Sequence, residues 1–197
     1  MTSSKQIATK EVLVWIIDFG SQYTQLITRR CRELGFSSLI ITVEEAMERL
    51  QNNTQPKVLI LSGGPQSVFA DETDYSIFFR DASLPVLGIC YGMQVMGKYF
   101  GATVEKGILG EYGHTEITCE DQSNLKDCPK TFSVWMSHSD HLLNVPKDFD
   151  VILKSHNGLI AGIVHRDKPI FALQFHPEVR HTQHGNKILS YFLKEIA

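Results

Sequence analysis

The chain is short of cysteine, of long apolar runs and of excess positive charge, and each shortage removes a class of function. Its four cysteines, Cys31, Cys90, Cys119 and Cys128, include no C-x-x-C pair. That spacing suits neither a zinc site nor a disulfide framework, so a reducing, cytoplasmic setting is expected. No apolar run nears the roughly 20 residues needed to span a bilayer, and no membrane association is expected. The formal net charge is −3, and without a basic field nothing argues for nucleic acid. Residues 1–10, MTSSKQIATK, lack an apolar signal core, so nothing indicates export and the N-x-T match at Asn52 is accidental. Repeats, low-complexity stretches and Pro- or Ser-rich linkers are missing too. Residues 1–197 therefore read as one domain, with 1–10 a flexible tail.

What is present is ordinary globular composition, 43% hydrophobic and 21% charged, in a chain long enough to bury a core without staples. VLVWII (12–17) reads as a buried strand. A helix with Tyr23, Leu26, Ile27, Cys31 and Leu34 on one face follows, and Gly35 stops it. SSLIITV, KVLILSGG and PVLGI are further strands, EEAMERLQ is a short helix, and a helix over 91–100 ends at Gly101. This alternation implies an α/β fold with an open, mostly parallel, doubly wound sheet of flavodoxin-like type. After Gly101 the pattern changes. ATVEKG, HTEITCE, FSVWMS, DVILKS, LIAGIVH and IFALQFH read as short, added antiparallel strands, with RDKP a hairpin turn. A closing helix carries Ile188, Leu189, Phe192, Leu193 and Ile196 on its apolar face.

Cys90 sits where an apolar strand turns into a helix, inside Gly88-Ile89-Cys90-Tyr91-Gly92. G-x-C-x-G is the thiol counterpart of the G-x-S-x-G nucleophile elbow. A sharp strand-to-helix turn crowds its flanks, and glycine has no side chain to collide. The turn places sulfur at the C-terminal edge of the sheet, where open α/β folds bind ligands. It also places it at a helix N-terminus, whose partial positive charge favours thiolate. Against this, a cysteine after an apolar run is commonly just a small buried hydrophobe. A nearby base decides between the two.

FALQFHPEV offers that base. Pro177 biases His176 toward extended backbone, and in an extended segment residues i and i+2 share a face. Glu178 can then hold one imidazole nitrogen of His176 and leave the other for the thiol. Read alone, H-P-E is equally a surface turn with a solvated Glu178. Together with the elbow it completes a nucleophile, base and orienter in the order Cys90, His176, Glu178.

These residues resemble a known family, the class I glutamine amidotransferases. LSGGP (61–65), GICYGMQ (88–94) and FHPE (175–178) are its three motifs in order, and the likeness runs over nearly the whole chain. DFGSQYTQLITRRCRELG (18–35) and VWMSHSD (134–140) are most like the glutaminase part of GMP synthases. The resemblance implies a Cys90–His176–Glu178 triad that hydrolyses glutamine to glutamate and ammonia through a γ-glutamyl thioester. It implies an oxyanion hole from the backbone N–H groups of Gly64 and Tyr91. A side chain at Gly64 would, on this reading, obstruct the substrate. Gly63, Gln94, the Ser137-His138-Ser139 backbone and Asp140 would bind glutamine. The ammonia would go to an ATP-dependent synthetase domain or subunit that converts XMP to GMP. No cofactor is implied for this domain, since ATP and magnesium belong to the synthetase.

Other signals are weaker. SGGPQSV resembles a pyrophosphatase phosphate loop but has Gln66 in place of the acidic residue, and DFG (18–20) lacks any H-R-D segment. His138 with His141, and His181 with His184, have metal-like spacing without a third ligand, so no metal is expected. RHTQHG (180–185) either enters a helix or meets the synthetase near the ammonia exit. Trp15, Phe100 and Phe175 read as core, Cys31 as buried and inert, and Cys119 and Cys128 as surface or strand residues. Two alternatives stay open beside the glutaminase. One is a γ-glutamyl peptidase, or an amidotransferase of another pathway, on the same scaffold. The other is a binding module with a vestigial triad, against which the intact Cys90, His176 and Glu178 argue.

Overall fold

The computed structural model describes residues 13–196, so the tail 1–10 and Val12 of the first strand lie outside the described residues. Four short apolar strands form the parallel half: β1 (Val14–Ile17), β2 (Ser38–Ile41), β3 (Val58–Leu61) and β4 (Val86–Ile89). Helices α1 (Thr24–Glu33), α2 (Val43–Gln51) and α3 (Tyr91–Tyr99) alternate with them. Thr42 caps α2 by accepting a hydrogen bond from Glu45 N–H. Gly35 and Gly101 end α1 and α3 with φ of +93° and +92°, a region that disfavours any side chain.

The second half is β5 (Val104–Cys119), β6 (Thr131–Leu142), β7 (Phe149–Ser155), β8 (Ile160–His165) and β9 (Ile170–Leu173), closed by α4 (Gly185–Tyr191) and a π-helical turn over Phe192–Ile196. The sheet order is β2-β1-β3-β4-β9-β8-β7-β5-β6. β9 pairs in parallel with β4 and antiparallel with β8, so it is the seam between the halves. Alternate residues of β1 feed opposite faces. Val14 and Ile16 pack with Ile27 and Ile188, from α1 and α4, while Trp15 and Ile17 pack with Ala46 and Met93, from α2 and α3. This is the doubly wound arrangement the sequence predicts.

Three expectations need correction. ATVEKG and HTEITCE are one strand, β5, whose register against β6 breaks between Lys106 and Glu111. β5 joins the rest of the sheet through Ile117–Cys119 on β7, and the remainder of the β5–β6 ribbon continues beyond that attachment. Second, β9 stops at Leu173, so His176-Pro177-Glu178 is not strand but follows it, with Pro177 and Glu178 in a turn. Third, of the two cysteines expected at the surface or in a strand, Cys119 is the last residue of β5, but Cys128 is in neither place: it is buried in the main apolar cluster, as Cys119 is. Burial pushes the Cys31 thiol up to about 12 and that of Cys128 up to about 11, so neither is a reactive thiol.

Candidate active site

Parallel pairing brings distant segments to one edge. Ile89 of β4 lies beside Leu173 of β9, so Cys90 and His176 leave neighbouring strands in the same direction. The loop after β3, Ser62-Gly63-Gly64, emerges at that edge as well. Ser62 fastens it: its Oγ accepts from Phe19 N–H at 3.1 Å, and its carbonyl accepts from Gly92 N–H at 3.1 Å.

Cys90 has φ +53°, a left-handed conformation that costs a non-glycine residue on the order of 1–3 kcal/mol. The two flanking glycines make the corner possible. A Cβ on Gly88 would lie 2.8 Å from the backbone of Gly92, and one on Gly92 would lie 2.3 Å from the carbonyl oxygen of Leu61. Cys90 N–H donates to the Leu173 carbonyl at 2.7 Å, which ties the corner to β9. The sulfur lies 3.7 Å from the Ser137 carbonyl oxygen and 3.8 Å from Gln174 Nε2.

His176 and Cys90 flank Gly63 and line one cavity, and His176 Nδ1 lies 2.8 Å from Glu178 Oε1. Both His176 and Glu178 are buried. The carboxylate reaches the imidazole through the turn at Pro177–Glu178 and not by strand alternation. Thr182 Oγ1 braces that turn, donating to the His176 carbonyl at 2.6 Å and accepting from Trp135 N–H at 3.0 Å. Burial works against a charged imidazole, but the Glu178 carboxylate and the thiol outweigh it and raise His176 above its ordinary value. Glu178 Oε2 has no hydrogen-bond partner among the described residues.

A cavity of about 440 Å³ opens onto this group, lined by Cys90, His176, Gly64, Gln94 and Ser137–Asp140 among others. Gln94 Nε2 donates to the Asp140 carbonyl at 2.7 Å, joining α3 to β6. Gly63 also borders the reactive pair: a Cβ there would come 2.9 Å from His176 Cε1. At Gly64, which also lines the cavity, a Cβ would lie 2.7 Å from the Phe19 carbonyl oxygen in the loop after β1. The Tyr91 N–H is the first of α3 and has no acceptor within the helix.

Several site neighbours carry no motif. Ser67 Oγ donates to the Asp140 carboxylate, and the ring of Tyr23 meets that of His176 edge-on at 4.9 Å. Asp71 accepts from the hydroxyls of Tyr75 and Tyr91, while Lys98 Nζ donates to the Val68 carbonyl at 2.8 Å, so the 65–75 loop is fastened to α3. Burial would raise Asp71, but the two phenols and Thr73 outweigh it and bring it down to about 2. His181 stacks on Trp135 with ring centroids 4.8 Å apart, and His184 precedes α4 in a left-handed conformation. The placement of His138 and Asp140 follows the alternation of β6. Phe132, Val134 and Met136 point inward, and His138 and Asp140 continue that phase.

Comparisons with known proteins agree with this architecture. The family model for glutamine amidotransferase class-I matches residues 15–196. GMP synthase [glutamine-hydrolyzing] of Macrococcus caseolyticus is 43% identical over 194 residues, covering 97% of this chain and 37% of that protein. The enzyme of the same name from Petrotoga mobilis is 45% identical over 185 residues, covering 93% and 36%. The chain thus spans little more than a third of the length of these relatives. The crystal structure of a Thermoplasma acidophilum protein described as a GMP synthase subunit superposes with a TM-score of 0.85 at 31% identity, covering 95% of this chain and 94% of the other. A glutamine amidotransferase from Thermotoga maritima shares the fold, with a TM-score of 0.73 at 20% identity over 95% and 98% of the two chains. The chain belongs to the class I glutamine amidotransferases.

Proposed function

We propose that the chain hydrolyses glutamine to glutamate and ammonia and delivers the ammonia, in the cytoplasm, to an ATP-dependent synthetase domain or subunit that converts XMP to GMP. The observation that carries the reading is the convergence of Cys90, on its strained corner, with a His176 that Glu178 holds. In this reading Cys90 gives its thiol proton to His176, and its Sγ attacks the side-chain carboxamide carbon. The oxygen that becomes anionic is met by the N–H groups of Gly64 and Tyr91, an arrangement typically worth about 10²- to 10³-fold per donor. His176 protonates the departing ammonia, leaving a γ-glutamyl thioester. His176 then takes a proton from water, which adds to the thioester and releases glutamate with the thiol restored. Gly63 keeps the space beside His176 open. Asp140 meets the substrate's α-ammonium, and Gln94 with the Ser137-His138-Ser139 backbone fixes the remainder of the amino-acid end. ATP and magnesium act in the synthetase.

The test is ammonia release from glutamine, with and without a GMP-forming synthetase. Release from γ-glutamyl peptides but not from glutamine would overturn the substrate assignment. Two further outcomes follow. Native-state alkylation with iodoacetamide should modify Cys90 first, read by intact mass, because Cys90 lines the cavity, Cys31 and Cys119 are buried in the core, and burial holds the Cys128 thiol, which lines a second cavity against α4, up at about 11. Modification of several thiols at once would count against a privileged Cys90. Glu178→Gln removes the charge that raises His176 and leaves the burial that lowers it. His176 then loses its proton at lower pH, so the basic limb of the kcat/KM profile shifts toward lower pH, and the rate falls about 10²- to 10⁴-fold. An unmoved basic limb would show that Glu178 does not set the protonation of His176.

A further inference from the structure

Two polar groups stand against the Cys90 sulfur, and they are opposites. The Ser137 carbonyl oxygen, 3.7 Å away, can only accept; Gln174 Nε2, 3.8 Å away, can only donate. Gln174 is the first residue after β9. Its backbone N–H still donates to the Ala161 carbonyl at 3.0 Å, and Cys90 N–H donates to the carbonyl of Leu173, one residue earlier, so the two segments are locked side by side. Gln174 is fully buried and does not line the cavity onto which Cys90 opens. Its amide therefore reaches the sulfur from the core side and not from the side a substrate would enter. The other end of the amide, Oε1, is buried with no hydrogen-bond partner among the described residues.

A buried amide oxygen without a donor destabilises a fold, and a leucine or methionine would fill similar space without that cost. Packing alone does not account for a glutamine here. The one side-chain hydrogen bond it makes among the described residues is to the nucleophile. We propose that Gln174 is a catalytic residue, whose Nε2–H stabilises the negative charge that the Cys90 sulfur carries during the reaction. The inference rests on the glutaminase reading above and adds a donor to it. In that reading the sulfur becomes anionic twice. The first time is when its proton passes to His176 before attack. The second is when the C–S bond of the tetrahedral intermediate formed by water breaks, releasing glutamate, after which the sulfur recovers its proton from His176. In the thioester between, the sulfur is neutral and the donor has little to hold. A hydrogen bond to a charged group is stronger than one to a neutral group, so the gain falls on the anionic species. The Ser137 carbonyl works the other way, favouring the protonated thiol. An amide neither gives up nor takes a proton near neutral pH, so Gln174 leaves that exchange to His176.

Gln174→Met keeps the length of the side chain and removes both polar atoms. The experiment uses the full chain with its synthetase partner and reads three quantities. Alkylation of Cys90 by iodoacetamide at neutral pH reports on the sulfur without any substrate. It should slow about threefold, because a tenfold loss of thiolate is partly offset by the greater intrinsic reactivity of the thiolate that remains. Ammonia release from glutamine should fall about tenfold in kcat/KM. The Tm should stay level or rise, since the unpartnered oxygen is removed as well, whereas a residue that merely supported the fold would lose Tm along with rate. Undiminished alkylation would overturn the inference, and so would a slowing accompanied by a lowered Tm. Gln174→Leu, read the same way, guards against a local misfit of methionine; failure of both variants to fold would mark Gln174 as structural and overturn the inference too. A wild type whose Cys90 is alkylated but which releases no ammonia from glutamine would end the glutaminase reading instead, with the alkylation comparison still deciding the role of Gln174.

Discussion

Cys90→Ala is expected to lower ammonia release from glutamine by about 10⁴-fold or more, the scale of loss when an activated nucleophile is removed from a triad. Alanine keeps the corner, because its Cβ fits wherever that of cysteine does, and it leaves the 440 Å³ cavity and the His176–Glu178 pair in place. Glutamine should still bind, and calorimetric titration would show it. What disappears is the thioester route, leaving water to attack an unactivated amide with whatever help the backbone donors give. Coupled-assay rates for Cys90→Ala equal to those of the wild type would end the case for covalent catalysis by this thiol.

Gly92→Ala should be strongly destabilising. The added methyl would lie 2.3 Å from the carbonyl oxygen of Leu61 and 2.7 Å from its Cβ. A flexible side chain could move aside, but the backbone of β3 cannot move without parting from β1 and β4, its partners on either side. The cost should reach the top of the overpacking range, about 3 kcal/mol. For a chain of this size that corresponds to a drop in Tm of roughly 6–12 °C in calorimetry. Gly101→Ala is the contrast. Nothing lies within 4 Å of its added carbon, so its penalty is the left-handed backbone alone, about 1–2 kcal/mol. A Gly92→Ala protein as stable as wild type would mean that α3 and β3 are less tightly joined than these distances require.

The corner at Cys90 was legible because its geometry constrains the local sequence. The elbow needs small residues at both flanks, and Gly88 and Gly92 announce it. The parallel half was legible for a related reason: strands buried on both faces are continuous apolar runs, with little else they can be. The turn at Pro177–Glu178 was misread because proline restricts its own φ and the residue before it, and leaves the residue after it free. The β5–β6 ribbon was broken into pieces because Gly107 and Gly110 interrupt the alternation that marks a strand, and an irregularity looks like a turn in one dimension. Ser67, Asp71 and Glu111 carry no signature at all. Their meaning comes from partners far away along the chain, and only the pairing of β5 with β6 puts Glu111 opposite His138.

The attachment of that ribbon divides the labour of the molecule. Cys90 and His176 leave the seam of the central strands, whereas the β6 wall of the cavity belongs to a hairpin joined to β7 through three residue pairs among the described residues, clasped to α3 by Gln94 and to the 176–183 segment by the backbone of Ser133 and Trp135. A hairpin exchanged for another would have to keep the backbone at Trp135, whose carbonyl accepts from His176 N–H at 3.1 Å, for the imidazole to stay in place.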